Sequence, residues 1–260
     1  MLLHITDKCS LGCPHCLGDY KPDGEHMSSE VFKDAIDFII KTNPIIHVTV
    51  TGGEPTEHPD FVEFMDILIS ALKKKTDNVP KMITITTNGF WCLEHPDDAR
   101  KIINTGTEII KVNFQVSTDK RYYPIPLDTN NPLWKENGFV LCEDCVTHIY
   151  PQGRALSNKI PYQSKAPRCF NFRSFMKTVE PKSGFMNKLE MATMGLLMKG
   201  YTCTPSIGIH GEIIPGESRL CPPAASIYDD MDTIEQKLTN FRCHKCEFLL
   251  PPKLIEYINS

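Results

Sequence analysis

Three cysteines, Cys9, Cys13 and Cys16, stand four and then three residues apart, directly after the short apolar run Leu2, Leu3, Ile5. Thiolates this close on one loop can hold one soft metal centre. Four ligands close such a site, whereas three leave a coordination position open. On an iron–sulfur cube an open iron can bind a substrate or cofactor, which a purely structural site does not need. A zinc knuckle is the alternative use of the same three residues. A second segment with chemical potential is Gly52-Gly53-Glu54-Pro55. Its glycines allow close backbone approach and unusual dihedrals, and the Glu54 carboxylate can accept from an ammonium group. Read blandly, it is a glycine turn between a strand and a helix.

The elements that must carry these residues follow a regular alternation. Ser28, Ser29 and Glu30 are a helix-start signal, and Val31, Phe32, Ala35, Ile36, Ile39 and Ile40 recur at helical spacing. Residues 46–51 are rich in β-branched side chains and predict a strand running into Gly52. Phe61, Phe64, Met65, Leu68, Ile69 and Leu72 form a second helical stripe, closed by Lys73, Lys74 and Lys75. A strand over 82–87 ends at Asn88-Gly89, a short helix spans 96–104, and a strand over 108–117 ends at Ser117. Strands alternating with helices imply parallel pairing. The expected fold class is α/β, a partial (β/α) barrel of the TIM type. In such barrels chemistry sits on loops at the C-terminal ends of the strands, where the cysteine loop, the glycine segment, Asn88 and Ser117 all fall. Beyond residue 119 the regularity fails. Strands over 147–150 and 169–179 and a helix over 187–199 are predicted, and a domain boundary is placed near residue 200.

The cysteine spacing, C-x3-C-x-x-C with His15 in the slot that usually holds an aromatic residue, resembles the loop of the radical S-adenosylmethionine (radical SAM) superfamily. Gly52-Gly53-Glu54 resembles that superfamily's GGE motif. The resemblance implies a 4Fe–4S cluster on Cys9, Cys13 and Cys16, and SAM chelating the open iron. It further implies SAM contacts from Gly52, Gly53, Glu54 and His15. Ser117 and Asp119 look like the strand-end motif that contacts the ribose or methionine end of SAM, although Asp119 also reads as a turn former. Asn88 matches a common T-N-G and would contact SAM or shape its turn. Arg154, in Gly-Arg-Ala, would neutralise the SAM carboxylate or stand solvated at a strand end. The implied chemistry is reductive cleavage of SAM to methionine and a 5′-deoxyadenosyl radical, which takes hydrogen from a substrate C–H bond.

The remaining cysteines form a second constellation. Cys203, a hairpin-like stretch over 206–214, Cys221 and the pair Cys243 and Cys246 resemble a twitch domain, the shorter relative of the SPASM domain. The resemblance implies an auxiliary 4Fe–4S cluster on those four thiolates, in a domain over 201–260 built from a β-hairpin plus a helix, after a barrel over 1–200. Tetrathiolate zinc uses similar pieces. Cys142, Cys145 and Cys169 lack the spacing of a further cluster and read as free thiols near the substrate pocket, while Cys92 reads as packing. A nearby cluster could accept an electron from a substrate radical, so the expected outcome is a net oxidation, a dehydrogenation or a cross-link. A ribosomal peptide or protein side chain is the expected substrate, with a small molecule such as an aminocyclitol, sugar or nucleoside as the alternative. A non-catalytic electron carrier would have no use for a GGE segment. Asp119 and His148 are candidates for a general base.

Charge is nearly balanced, 28 basic against 32 acidic residues, which gives no support for a nucleic-acid partner bound by bulk electrostatics. No apolar run approaches the length of a membrane span. The expected location is cytoplasmic, where many of eleven cysteines are metal ligands or free thiols rather than disulfides. The expected partners are the substrate and an electron donor such as flavodoxin or ferredoxin.

Overall fold

A computed structural model describes residues 1–42, 47–75, 81–142, 149, 153–161, 206–214 and 222–240. The strand predicted over 169–179, the helix over 187–199, His148, Cys145, Cys169, Cys203, Cys221, Cys243 and Cys246 lie outside the described residues. Of the strand predicted over 147–150 only Ile149 is described, and it is buried.

The predicted alternation is present. β1 (Leu2–Thr6) leads through the cysteine loop to α1 (Ser29–Thr42), and β2 (His47–Gly52) leads to α2 (Phe61–Lys74). β3 (Lys81–Thr87) is followed by a short α3 (Phe90–Glu94) and by α4 (Pro96–Thr105), and then comes β4 (Ile110–Ser117). Among the elements before residue 200, three went unread in the sequence: α3, β5 (Phe139–Cys142) and α5 (Gly153–Ser157). Strands β1 to β5 pair in parallel, with β3 and β4 in unbroken register from Lys81↔Ile110 to Thr87↔Val116.

The hairpin over 206–214 comprises β6 (Ser206–Ile207) and β7 (Glu212–Ile214), turning at Gly211 with φ +82°. It is continuous with the barrel sheet, since β6 pairs in parallel with β1. A last strand, β8 (Ala225–Ser226), pairs with β7, and α6 (Met231–Asn240) follows. The sheet order is β5-β4-β3-β2-β1-β6-β7-β8, and among the described residues its edges do not meet. The fold is mixed α/β, an open partial barrel.

The two faces of this sheet differ sharply. Leu3, Ile5, Val48, Val50, Ile83, Ile85, Val112, Phe114 and Val116 are buried in one cluster with the inner sides of α1 and α2. Phe32 of α1 stacks on Phe64 of α2 with ring centroids 3.9 Å apart. The alternate residues face the other way, and most of them are polar. Among the described residues no helix is long and apolar enough to cross a membrane.

Candidate functional site

The cysteine loop lies across the C-terminal ends of β1 and β2. Gly53 N donates to Thr6 O and Glu54 N to Lys8 O, both at 2.7 Å, so the glycine segment extends the sheet against the start of the loop. A Cβ on Gly52, whose φ is +141°, would collide with the Thr6 carbonyl, and one on Gly53 would collide with the Lys8 carbonyl. The glycines are thus required by the approach of the two loops to each other.

Glu54 acts as a buried latch. Its Oε1 accepts from Thr56 N at 3.2 Å, Thr56 Oγ1 at 2.6 Å and Thr87 Oγ1 at 2.7 Å, while Oε2 accepts from Asn88 N at 2.7 Å. Four donors from two strand ends converge on one carboxylate, and burial still pushes its pKa above the usual range. Asn88 Oδ1 in turn accepts from Phe90 N and starts α3. The carboxylate that was expected to meet an ammonium group is largely engaged by the chain itself.

The cysteine loop is gripped from two sides. On one side, Glu57 accepts from Ser10 N and Ser10 Oγ, both at 2.8 Å. On the other, α5 closes over the loop from a point about 140 residues further along the chain. Arg154 Nε donates to Cys13 O at 3.0 Å, Nη1 donates to Tyr20 O at 2.6 Å, and Arg154 N donates to Cys16 O at 3.0 Å. Asn158 Nδ2 adds a bond to Pro14 O at 3.0 Å. Gly153, with φ +54°, has the Leu17 and Cys16 carbonyls where a Cβ would be. Arg154 is therefore a strut of the loop, with its Nη2 buried and without a partner among the described residues.

Cys9, Cys13, Cys16, His15, Gly52, Gly53, Glu54, Asn88, Ser117 and Arg154 all line one cavity of about 510 Å³. The structure thus brings together ten residues proposed from the sequence. Asp119 does not line it: its buried carboxylate is bonded to the Arg121 side chain and backbone within a turn, and this pairing holds its pKa below the usual range. His15 packs on Tyr122 and Tyr123 with centroids at 5.0 and 5.9 Å, and burial lowers its pKa. Cys92 is fully buried behind the site.

The donor set fits a cluster. Burial pushes Cys9 up to about 11 and Cys13 to about 12, so both stay neutral thiols unless a cationic centre draws off their protons. Among the described residues no three His, Cys, Asp or Glu side chains crowd tightly enough to hold a single ion. Cys9, Cys13 and Cys16 line the same cavity, and three thiolates are what a cube with an open iron takes. Residues that the sequence reading passed over include Glu57, Asn158 and Thr87. No spacing rule links them to the cysteines, because their role exists only after folding.

The family model of the radical SAM superfamily matches residues 3–134, about half of the chain. The chain belongs to the radical SAM superfamily. The superfamily implies a 4Fe–4S cluster and SAM as cofactors. A GTP 3′,8-cyclase of Vibrio atlanticus (strain LGP32) is 35% identical over 92 residues, which are 34% of this chain and 26% of the cyclase. The mycofactocin maturase MftC of Mycobacterium tuberculosis (strain ATCC 25618 / H37Rv) is 40% identical over 63 residues, 24% of this chain and 16% of the maturase. The matched segments thus span about a quarter of the first relative and less of the second. Among solved structures, BtrN in complex with AdoMet and 2-DOIA aligns with TM-score 0.55 and 12% identity, covering 93% of this chain and 84% of BtrN. Native anSMEcpe with AdoMet and the Cp18Cys peptide aligns with TM-score 0.53 and 14% identity, covering 96% and 81%. Streptococcus suis SuiB bound to its precursor peptide SuiA aligns with TM-score 0.52 and 15% identity, covering 93% and 66%. At these identities the likeness is one of fold.

Proposed function

We propose that this radical SAM enzyme carries out a net oxidation of a polar substrate, with a peptide or protein side chain as the substrate. The observation that carries the proposal is the single cavity shared by Cys9, Cys13, Cys16, Gly52, Gly53 and Glu54. In this reading Cys9, Cys13 and Cys16 hold the 4Fe–4S cluster. His15, Gly52, Gly53, Glu54, Asn88, Ser117 and Arg154 surround SAM, and Asp119 with Arg121 shapes the adjacent turn. When bound, the cluster and SAM supply a 5′-deoxyadenosyl radical that removes hydrogen from a C–H bond. The chain's own residues fix the loop through Glu57, Arg154 and Asn158, and they align the strand ends through Glu54.

Cys203, Cys221, Cys243 and Cys246 would hold an auxiliary 4Fe–4S cluster that takes the second electron, as a twitch domain does. A flavodoxin or ferredoxin would supply the separate electron that reduces the SAM-binding cluster. The peptide reading is supported by the names of MftC, a maturase, and of SuiB and anSMEcpe, solved with peptides. A small-molecule substrate is the second reading, supported by the BtrN alignment.

Anaerobic reconstitution with iron counting tests the cluster assignment. The expected result is about eight irons per chain, falling to about four in a Cys9→Ala/Cys13→Ala/Cys16→Ala variant that no longer forms methionine from SAM. Unchanged iron in the triple variant would overturn the assignment. Cys203→Ala and Cys243→Ala should retain SAM cleavage and lose product oxidation; full oxidation without the auxiliary cluster would end the proposal for that site.

A further inference from the structure

We infer that Thr51, Thr86 and Gln115, with His4 at their flank, form a subsite that holds an uncharged hydroxyl-bearing group of the substrate beside SAM in the same cavity. The inference rests on the proposed function, and adds to it which residues recognise the substrate and by what chemistry.

These four residues belong to the strands themselves, one layer below the loops that meet the cofactor. His4 is in register with Thr51, and Thr86 with Gln115; Thr51 follows the Val50↔Ile85 pair by one residue and so stands beside Thr86. They make a transverse row over four adjacent strands, and all four line the 510 Å³ cavity. The next row down provides the contrast. There Thr84 Oγ1 donates to Asn113 Oδ1 at 3.3 Å, and His47 Nε2, from one row further down, lies 3.3 Å from the same hydroxyl, so that pair is engaged within the chain. In the upper row, among the described residues, the Thr51 and Thr86 hydroxyls have no partner within the chain. Gln115 reaches only the Cys142 sulfur, at 4.0 Å. The His4 ring lies 3.3 Å from Tyr20 Oη.

The Thr84–Asn113 pair is thus closed on itself, whereas Thr51, Thr86 and Gln115 line the cavity. Hydrogen-bonding groups on a half-buried face cost free energy unless a ligand or water engages them. Two hydroxyls, a carboxamide and an imidazole can each donate and accept, and none bears a fixed charge. This set matches a neutral hydroxyl with its neighbouring polar groups. It does not match a phosphate: no Lys or Arg belongs to the row, and Arg154, the cationic side chain lining the cavity among the described residues, directs its Nε and Nη1 to the cysteine loop. A serine-type side chain of a peptide and a cyclitol present the same hydroxyl chemistry.

The test uses anaerobically reconstituted enzyme with SAM, and saturation-transfer NMR with three probes: myo-inositol, the peptide N-acetyl-Gly-Ser-Gly-amide, and GTP. Binding of myo-inositol or of the serine peptide supports the subsite, and which of the two binds identifies the source. Thr86→Val and Gln115→Met should each weaken the bound probe about tenfold, whereas Thr86→Ser should restore binding. Failure of both neutral probes, displacement of either by GTP, binding as tight as wild type in the Val and Met variants, or loss of binding in Thr86→Ser would each overturn the inference. Methionine formation from SAM without substrate is measured on the same preparations after addition of dithionite as the one-electron reductant. Its absence in the wild-type protein would count against the proposed function, and its persistence in the variants separates the subsite from the cofactor site.

Discussion

Glu54 concentrates more of the site's architecture than any cysteine does. Three of its four donors are buried and the Asn88 N–H is partly so, so deleting the acceptor leaves them unpaired. Glu54→Ala should lower unfolding free energy by about 2–4 kcal/mol in urea titrations and abolish SAM binding. Glu54→Gln is the sharper probe. With its oxygen turned to the threonines, its NH2 group faces the Asn88 N–H, donor against donor, so it should recover only part of the loss. A carboxylate valued only for its charge toward SAM would leave stability untouched in both variants. Arg154 yields a parallel expectation through a different readout. Arg154→Lys keeps a cation but loses the fork that holds both Cys13 O and Tyr20 O. It should bind iron less completely than wild type after reconstitution, and Arg154→Met less still. If Lys equals Arg in iron content, the strut is merely a charge.

At the scale of elements, the connection between β2 and α2 ties the glycine segment to the rest of the scaffold through His58. Its Nε2 is 2.9 Å from Met27 O, and its Nδ1 accepts from Asp60 N at 3.0 Å, an arrangement that fits only the neutral ring. Burial lowers its pKa, and His26, its ring centroid 5.0 Å away, is lowered as well. With both folded values below the ordinary 6.5, their contribution to stability is complete above that pH. It is lost as pH falls, because the unfolded chain takes up protons first. Denaturant midpoints should therefore drop from pH 7 to pH 5, and His58→Gln should flatten that limb while lowering its plateau. The elements themselves divide by length in how well the sequence disclosed them. Helices α1, α2 and α4 and strands β2 to β4 carry enough periodic residues to be read directly. β5 has four residues and α5 five, too few to show a period. Yet α5 supplies the clamp on the cysteine loop, through contacts that no local pattern encodes. The substrate row was visible in principle. Thr49 and Thr51, Thr84 and Thr86, and Asn113 and Gln115 alternate with apolar residues. A parallel strand covered on both faces would be apolar throughout. The alternation marks an inner face that faces no core.

The whole molecule puts its cohesion on one side of the sheet and its chemistry on the other. The apolar cluster under α1 and α2 supports the central strands, while the concave face contributes hydrogen-bonding groups and open volume. Cohesion is also graded along the sheet. The β3–β4 ladder runs through seven paired residues, whereas among the described residues β6 meets β1 through Leu2↔Ser206 and Leu3↔Ile207. Such a short ladder, on the edge that carries β7 and β8, should open without global unfolding. Native-state hydrogen exchange separates the two regimes. Amides of Ile83, Ile85, Val112 and Phe114 should exchange only through complete unfolding, and those of Ile207 and Ile213 through a smaller local opening. Phe64→Ala, which empties the space against Phe32, should lower the protection of the central amides by about 3–5 kcal/mol. It should leave Ile207 and Ile213 nearly unchanged, because their opening does not break the α1–α2 contact. If the hairpin amides lose as much protection as β3 and β4, the eight strands open as one unit, and the hairpin is as firmly bound to β1 as the barrel strands are to one another.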